Sequence, residues 1–261
     1  MTRALPRAHI NSSPLVRFLT ENALVDAARV GAGDDVGQKL GDWLNFRQAI
    51  ALHGVLNPEA QPEPTPAHVR RTAVMTGSAL TRHVDKVRAQ LSQSIEQGAP
   101  PGSGLARIEM PPAELDDPIE PKTAFEPYRR FYAAHQRQME ITLQTLRAQV
   151  RGQLSKSSGR LQQLATLDAA FENILSEREA VLMAKVAKLH EKRFMQALKR
   201  HSQQQAEAMA AGEAATALRP SAWLMPLRQA MRTALLAELD TRLLPTLGLL
   251  EAFNQENPQE Q

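Results

Sequence analysis

The residue types that most often do chemistry are scattered along this chain rather than grouped. Seven histidines are spread over 261 residues, and no pair has the HxxxH spacing that places two imidazoles on one helical face for a metal ion. His135 falls on an apolar face beside Tyr132 and Met139, which predicts a core histidine rather than a ligand or a base. Asp116 and Asp117 are paired carboxylates, but the prolines around them favour solvent exposure over the burial that tunes a catalytic pKa. We therefore predict no catalytic residue, no metal site, no cofactor and no enzymatic activity.

Two glycine-containing segments have only a superficial likeness to functional motifs. Residues 31–37 read Gly-Ala-Gly-Asp-Asp-Val-Gly, but the third glycine comes one place too late for a dinucleotide loop and no strand precedes it. Residues 102–104 read Gly-Ser-Gly without the strand, spacing and helix that a nucleophile elbow needs. Both segments are predicted to be turns or loops.

Two basic segments point to a class of partner. The basic-patch candidates are Arg70, Arg71, Arg82, Lys86, Arg88, Lys185, Lys188, Lys192 and Arg193. Such residues can track phosphates, although stacking aromatic residues are not interleaved with them and no helix-turn-helix spacing stands out. We favour a solvated face or an acidic protein partner, and we keep nucleic acid, bound through 67–97 and 185–201, as the alternative.

A long apolar stripe runs along residues 158–200, which contain no proline. Glu172 and Glu179 fall off the stripe and are assigned to the wet face of the predicted helix. A helix of this length rises roughly 60 Å and needs antiparallel neighbours from this chain or a partner to bury its stripe. Arg178 lies inside the stripe. It could be a snorkelling side chain or form an ion pair with a neighbouring helix. Alternatively, it could be a polar residue that fixes the register of the helices, or a contact to a partner. The partner-interface candidates are Leu164, Phe171, Leu175, Arg178, Leu182 and Leu189.

Composition favours helices and excludes several classes of protein. Hydrophobic residues make up 43% of the chain and aromatic residues only 4%, and alternating β-branched runs are missing, so we expect almost no sheet. The lack of cysteine excludes a disulfide framework and is compatible with a reducing cytoplasm. No apolar run approaches the ~18 residues of a membrane span, and no apolar region follows Arg3 and Arg7 as in a signal peptide. The net charge of +3 is small.

Prolines and glycines divide the chain into successive segments. The predicted segments are an N-terminal helical segment (1–56), a proline-rich linker (57–66), a basic helix (67–97), a proline-rich acidic loop (98–123), a long helical hairpin plus C-terminal helix (124–254) and a disordered tail (255–261). The hairpin should turn between Gly152 and Gly159. The C-terminal helix should begin near Ser221 and break at Pro245.

Several strings spread over the chain carry a resemblance to a known family. They are 125–140 (FEPYRRFYAAHQRQME), 167–169 (LDA), 177–179 (ERE), 191–194 (EKRF), 235–240 (LLAELD), 11–17 (NSSPLVR) and 43–44 (WL). The chain resembles an uncharacterised all-helical proteobacterial family, a domain of unknown function, with 98–123 as an insertion. Genes of that family often neighbour those for proton channels of the motor or TonB-accessory type and for outer-membrane-protein-A-like proteins. The resemblance implies a cytoplasmic accessory of an envelope machine and offers no catalytic residues to carry over.

The residues and the resemblance together predict an all-α fold, an elongated helical bundle built on a long antiparallel hairpin with coiled-coil character. The functional hypothesis is a non-enzymatic cytoplasmic adaptor or scaffold of a bacterial multiprotein assembly, peripheral to the inner membrane. Its expected partners are proteins, including components of the envelope machine, and a second copy of the chain in a homo-oligomer.

Overall fold

Helices make up most of the described chain. A computed structural model describes residues 14–21, 41–56, 75–115, 119–121, 123–211 and 222–257. Within these ranges 82% of the residues are helical and none lies in a strand, which confirms the predicted all-α fold. The helices are α1 (Pro14–Glu21), α2 (Phe46–Leu56), α3 (Gly77–Gln97), α4 (Glu126–Leu154), α5 (Gly159–Ala210) and α6 (Met225–Glu256), with a 3-10 turn (Ala222–Leu224) directly before α6.

The chain forms two compact units made of discontinuous stretches. The first unit consists of residues 1–88, 142–180 and 241–261, and the second unit of residues 89–141 and 181–240. Helices α3 to α6 each contribute residues to both units. The predicted segments, in contrast, follow one another along the sequence.

The core of the first unit comes from apolar residues that recur at helical spacing. Its buried side chains include Leu80 and Val84 of α3, Leu146, Val150 and Leu154 of α4, Leu161 and Ala165 of α5, and Leu243, Leu249 and Phe253 of α6. The turn between α4 and α5 lies at 155–158, within the predicted interval. Ser158 caps α5, because its Oγ accepts a hydrogen bond from the backbone N–H of Leu161 at 3.2 Å.

The core of the second unit contains most of the buried aromatic residues. Its buried side chains include Leu91 and Ile95 of α3, Phe125 directly before α4, Tyr128, Phe131 and Tyr132 of α4, Val186, Phe194 and Leu198 of α5, and Leu224, Leu227, Met231 and Leu235 from the start of α6 and the turn before it. Aromatic rings are scarce in this chain, so their concentration here distinguishes the second unit from the first.

Helix α3 starts at Gly77, and Met75 and Thr76 lie outside it, whereas the basic helix was predicted to begin at residue 67. Thr76 caps the helix by accepting a hydrogen bond from the N–H of Ala79 at 3.2 Å. Gly77 gives room to α6, because a Cβ at this position would lie 2.5 Å from Oδ1 of Asn254. The predicted linker 57–66, as well as Arg70 and Arg71, lies outside the described residues.

The predicted break at Pro245 is wrong, because α6 continues through this residue to Glu256. A proline in a helix interior removes one backbone donor and crowds the preceding turn. The helix persists because Leu243, Thr246 and Phe253 on either side of Pro245 are buried in the first unit. Tertiary packing therefore outweighs the local penalty. Of the predicted tail 255–261, residues 258–261 lie outside the described part.

The described part of the predicted loop 98–123 contains no helix or strand and is held against α4. The phenol of Tyr128 donates a hydrogen bond to the carbonyl of Pro112 at 2.6 Å, and the N–H of Ala106 donates to Oε1 of Gln138 at 2.9 Å. Gly102 and Gly104 adopt positive φ angles of 70° and 73°, a conformation that favours glycine. Asp116 and Asp117 lie outside the described residues.

Candidate interaction surfaces

The histidines of the second unit lie in its interior. His135 is 1% exposed, which confirms its prediction as a core residue, and its ring packs edge-on against Phe131 with centroids 4.6 Å apart. His190 is 0% exposed and its ring lies 5.0 Å from that of Tyr132. Burial lowers the pKa of both imidazoles to about 4, and for His190 the positive charge of Arg193 adds to this effect. Both histidines are therefore neutral at physiological pH.

The second unit also contains a fully buried carboxyl group. Glu238 of α6 is 0% exposed and accepts hydrogen bonds from Nε2 of Gln136 on α4 at 2.8 and 3.1 Å. The same amide nitrogen lies 3.2 Å from the carbonyl oxygen of Met183 on α5. These contacts form a polar layer that joins three helices inside the second unit. Such a layer fixes the register of helices, since a buried polar group must keep its partner.

The described ranges contain neither a candidate metal site nor a candidate membrane-spanning helix. No cluster of three or more histidine, cysteine, aspartate or glutamate residues there could hold a metal ion. No helix within those ranges is both long enough and apolar enough to cross a membrane.

The basic candidates of α3 do not form one patch. Arg82, Lys86 and Arg88 are all exposed. Successive residues of an α-helix are rotated by about 100°, so Arg88 lies about 200° around the helix from Lys86. Arg82 and Lys86, four residues apart, do share one face, and Nε of Arg82 donates a hydrogen bond to the carbonyl of Ser78 at 3.3 Å.

The basic candidates of α5, in contrast, share one exposed face. Lys185, Lys188 and Lys192 follow each other at spacings of three and four residues, and Lys199 lies two turns further along the same face. We call these four exposed residues the lysine stripe. Arg193, the remaining candidate, is half-buried on another face, and burial lowers its pKa. All five residues belong to the second unit.

Arg193 lines a groove that could not be predicted from the sequence. The groove has a volume of about 370 Å³ and is lined by Arg193, Gln196, Ala197, Arg200, Trp223, Pro226, Leu227 and Ala230. We call it the arginine groove. Trp223 comes from the turn before α6, and its ring stacks on His201 with centroids 5.1 Å apart and lies 5.6 Å from that of Phe194. An aromatic residue therefore does stand beside the basic segment of α5, although it is distant in sequence.

The six partner-interface candidates differ in exposure. Leu164, Phe171 and Leu175 are half-buried, Leu182 is 54% exposed, and Leu189 is buried in the second unit. Arg178 is exposed and its guanidinium carbon lies 5.2 Å above the ring of Trp43. Its Nη2 also donates a hydrogen bond to the carbonyl of Trp43 at 3.2 Å. Arg178 therefore contacts the segment that leads into α2.

Helix α2 lies beside α5 in the first unit without burying any of its own side chains. Its C-terminal residues Val55 and Leu56 and the α5 residues Leu161, Leu164 and Leu167 line a groove of about 640 Å³, to which the end of α6 also contributes. Phe46 is 83% exposed, and Ile50 and Leu56 are each 58% exposed. We call Phe46, Ile50, Leu56 and the apolar floor of this groove the α2 surface.

A group of charged residues missed by the sequence reasoning joins α4 and α5 in the first unit. Asp168 accepts hydrogen bonds from Arg147 at 2.6 and 2.8 Å and from Arg151 at 2.9 Å, and Arg151 also pairs with Glu172 at 2.6 Å. All four side chains are only 11–17% exposed. Burial lowers the pKa of Arg147, but the hydrogen bond and charge of Asp168 raise it above its usual value.

The predicted exposure of Glu172 is therefore wrong, whereas the Glu179 side chain is 40% exposed. Glu172 belongs to the ionic network, and Glu179 pairs with Arg242 of α6 at 3.0 Å. Both α4 and α6 contact α5 outside the predicted apolar stripe, so α5 does not have a single buried face. The available signal was the i, i+4 spacing of Arg147 with Arg151 and of Asp168 with Glu172, which presents complementary pairs on facing helices.

The fold defines an all-α helical-bundle protein with an apolar and a basic exposed surface. The chain belongs to the family described as "Protein of unknown function (DUF3348)", which matches residues 1–255. This confirms the predicted membership of an uncharacterised domain family. No curated protein and no solved structure matches the chain.

Proposed function

We propose that this protein is a non-enzymatic adaptor that binds an amphipathic helix of a protein partner at the α2 surface. The observation that carries the proposal is that α2 lies on α5 without burying a side chain, while Phe46 and Ile50 face solvent. The apolar groove between α2 and α5 and the exposed apolar residues on the opposite face of α2 are both typical of protein-binding sites. A helix that lays its apolar face into such a groove is a recurring mode of peptide recognition.

The few contacts of α2 support its being completed by a partner helix. An isolated helix of 11 residues is marginally stable in water, so α2 depends on what it packs against. The cation–π contact between Arg178 and Trp43 is exposed, and such contacts contribute only about 0.5–1 kcal/mol. A partner helix laid beside α2 would bury Leu164 and Leu167, which α2 leaves half-buried.

The setting of this adaptor follows from the resemblance described above. We propose a bacterial cytoplasmic protein, peripheral to the inner membrane, that assembles with components of a proton-channel-type envelope machine. Self-association through the same surface is part of the proposal, because a second copy offers the same apolar residues.

Co-purification after chemical crosslinking in cells tests the proposal. The chain with Phe46→Ser and Ile50→Ser should lose a protein that the wild type retains, whereas Ile141→Ser should keep it. Ile141 is a matched control because it is a 60% exposed apolar residue of α4 that belongs to the second unit. Equal recovery with all three chains, or recovery of no specific protein with the wild type, would count against the adaptor.

The lysine stripe favours a second candidate function, which is binding of single-stranded nucleic acid. Four lysines on one exposed face can follow a phosphate backbone. If all four contact phosphates, the logarithm of the association constant should fall with the logarithm of salt concentration with a slope of about −3. Fluorescence anisotropy of a labelled oligonucleotide at several salt concentrations measures this slope. No binding at low salt would exclude the candidate.

A further inference from the structure

We propose that the arginine groove binds a nucleotide unit, with the phosphate on Arg193 and Arg200 and the base against Trp223. This inference goes beyond the adaptor proposal and does not depend on it. It extends the second candidate function, binding of single-stranded nucleic acid, by naming a site for one nucleotide. The phosphate backbone would instead follow the lysine stripe.

The lining of the groove supplies the two kinds of contact that a nucleotide needs. Its volume of about 370 Å³ lies within the usual range of about 300–1,000 Å³ for small-molecule sites. The guanidinium groups of Arg193 and Arg200 present forked donors, which match phosphate oxygens. Trp223 offers a large aromatic ring, and every base has a face that can stack on such a ring.

The surrounding charge is strongly one-sided. Residues 192–206 of α5 contain Lys192, Arg193, Lys199 and Arg200 but no aspartate or glutamate. The opposite wall, formed by Trp223, Pro226, Leu227 and Ala230, carries no charged side chain and therefore no acidic one. The groove also lies at the N-terminal end of α6, where the helix dipole adds positive potential. A phosphate entering the groove therefore meets the positive charges of Arg193 and Arg200 on the α5 wall and no negative charge on the lining.

The aromatic wall is held in place before a ligand arrives. Trp223 is half-buried, stacks on the buried ring of His201 and contacts the fully buried Phe194. Phe194 in turn lies within 6 Å of the rings of Phe125 and Tyr128. Binding therefore requires little ordering of the indole, and pre-organised contacts give more affinity than mobile ones.

The position of Arg193 also fits an anionic ligand. This residue is half-buried and burial lowers its pKa, so its positive charge is poorly hydrated. A bound phosphate would interact with such a guanidinium in a medium of lower effective dielectric than water, which strengthens the contact. Arg200 is exposed and completes the pair from the solvent side, two helical turns further along α5.

A phosphate with a planar base comes either from a free nucleotide or from a nucleotide within a single strand. The full chain with Trp43→Phe leaves Trp223 as the sole tryptophan, because the sequence has only two. Its fluorescence is then titrated with thymidine monophosphate, with a single-stranded thymidine oligonucleotide and with inorganic phosphate. Quenching by the oligonucleotide alone assigns the site to a single strand, and quenching also by the monophosphate assigns it to free nucleotides as well.

Substitutions separate the groove from the lysine stripe. Arg200→Gln should weaken the quenching titration about tenfold, since it removes one charged hydrogen-bonding partner. Arg137→Gln is the matched control, because Arg137 is an exposed arginine of the second unit outside the groove, and it should leave the titration unchanged. Lys188→Gln should reduce the salt dependence of binding without changing the quenching at saturation.

Three results would overturn the inference. Salt-dependent oligonucleotide binding without quenching of Trp223 would place the nucleic acid on the lysine stripe only, so that the nucleic-acid candidate survives and the groove does not. Equal effects of inorganic phosphate and of the nucleotides would show an anion site without a base contact. If no probe binds at low salt, both the groove and the nucleic-acid candidate are excluded, and the adaptor proposal is unaffected.

Discussion

Asp168 is the residue on which the ionic network of the first unit converges. It accepts three hydrogen bonds from two arginines, and it is only 11% exposed. Charges that are largely removed from water depend on their partners to offset the lost hydration. A single substitution at Asp168 therefore leaves two buried guanidinium groups without their main counter-charge.

Asp168→Asn should lower the free energy of unfolding of the chain by about 2–4 kcal/mol, because it removes the charge and keeps the shape. Urea unfolding followed by circular dichroism measures the change. Glu109→Gln is the control, since Glu109 pairs with Arg107 in a contact where both side chains are 69–82% exposed, and it should change stability little. Equal effects of the two substitutions would contradict the assigned role of the network.

His135 should make stability depend on pH. Burial lowers its pKa in the folded chain to about 4, whereas the unfolded chain takes up a proton near 6.5. Between these values the unfolded state binds more protons, so stability is fully present above pH 6.5 and falls as the pH decreases towards 4. The slope contributed by one such histidine approaches about 1.4 kcal/mol per pH unit.

His135→Leu should therefore reduce the loss of stability on acidification, and His190 should retain part of it. Urea unfolding at several pH values within this window measures the slope. Met139→Leu is the control, because Met139 is a buried apolar residue of the same helix face and carries no titratable group. An unchanged slope in His135→Leu would show that this imidazole is already protonated in the folded chain.

At the scale of elements, α6 shows how packing overrides local preference. Pro245 is exposed, while its neighbours along the helix include the buried residues Leu243 and Thr246. The hydrophobic contacts of α6 compensate for the missing backbone donor. They do not remove the free-energy penalty of the proline itself, so a substitution that removes the proline should stabilise the chain.

Pro245→Ala should raise the free energy of unfolding by about 1–3 kcal/mol, because alanine restores the N–H and is the best helix former. Thermal unfolding provides the measurement. Gly248→Ala is the matched comparison, since a Cβ there meets nothing within 4 Å, and its gain should not exceed about 1 kcal/mol. A loss of stability in Pro245→Ala would mean that the packing of α6 requires the bend imposed by proline.

In α2, by contrast, local interactions are strong and tertiary packing is weak. Asn45 and Gln48 form a reciprocal capping box at its start, with hydrogen bonds of 2.8 and 3.0 Å between each side chain and the other backbone N–H. Local signals thus define where α2 begins, although it buries no side chain. This combination of good local structure and little packing is expected of an element that a partner completes.

At the scale of the whole molecule, the exposed α2 surface should control self-association. We expect the wild type to form a discrete oligomer that survives high salt, because apolar contacts are not screened by ions. Light scattering after size-exclusion chromatography measures the mass in low and high salt. The chain with Phe46→Ser and Ile50→Ser should become monomeric, and Ile141→Ser should not. A wild-type monomer under both conditions would remove self-association from the proposal.

Much of the helical architecture could be predicted because it depends on local patterns. The apolar spacing from Tyr128 to Leu154, the serine-rich turn before Gly159 and the lack of β-branched runs each specify helix or turn within a few residues. The core position of His135 followed from the same periodicity. These features need no knowledge of which helices meet.

The predictions failed where a residue's environment depends on another helix. The helical wheel could not show that Glu172 faces Arg151, or that Trp223 stands beside Arg193, because both contacts join stretches that are separated in sequence. Pro245 was misjudged for the same reason, since its tolerance comes from the packing of its neighbours. Within this chain, sequence by itself determined which residues form helices, because hydrophobic periodicity and capping act over a few residues. Only tertiary structure decided which charges are buried and which surfaces stay open, because these depend on how distant helices pack.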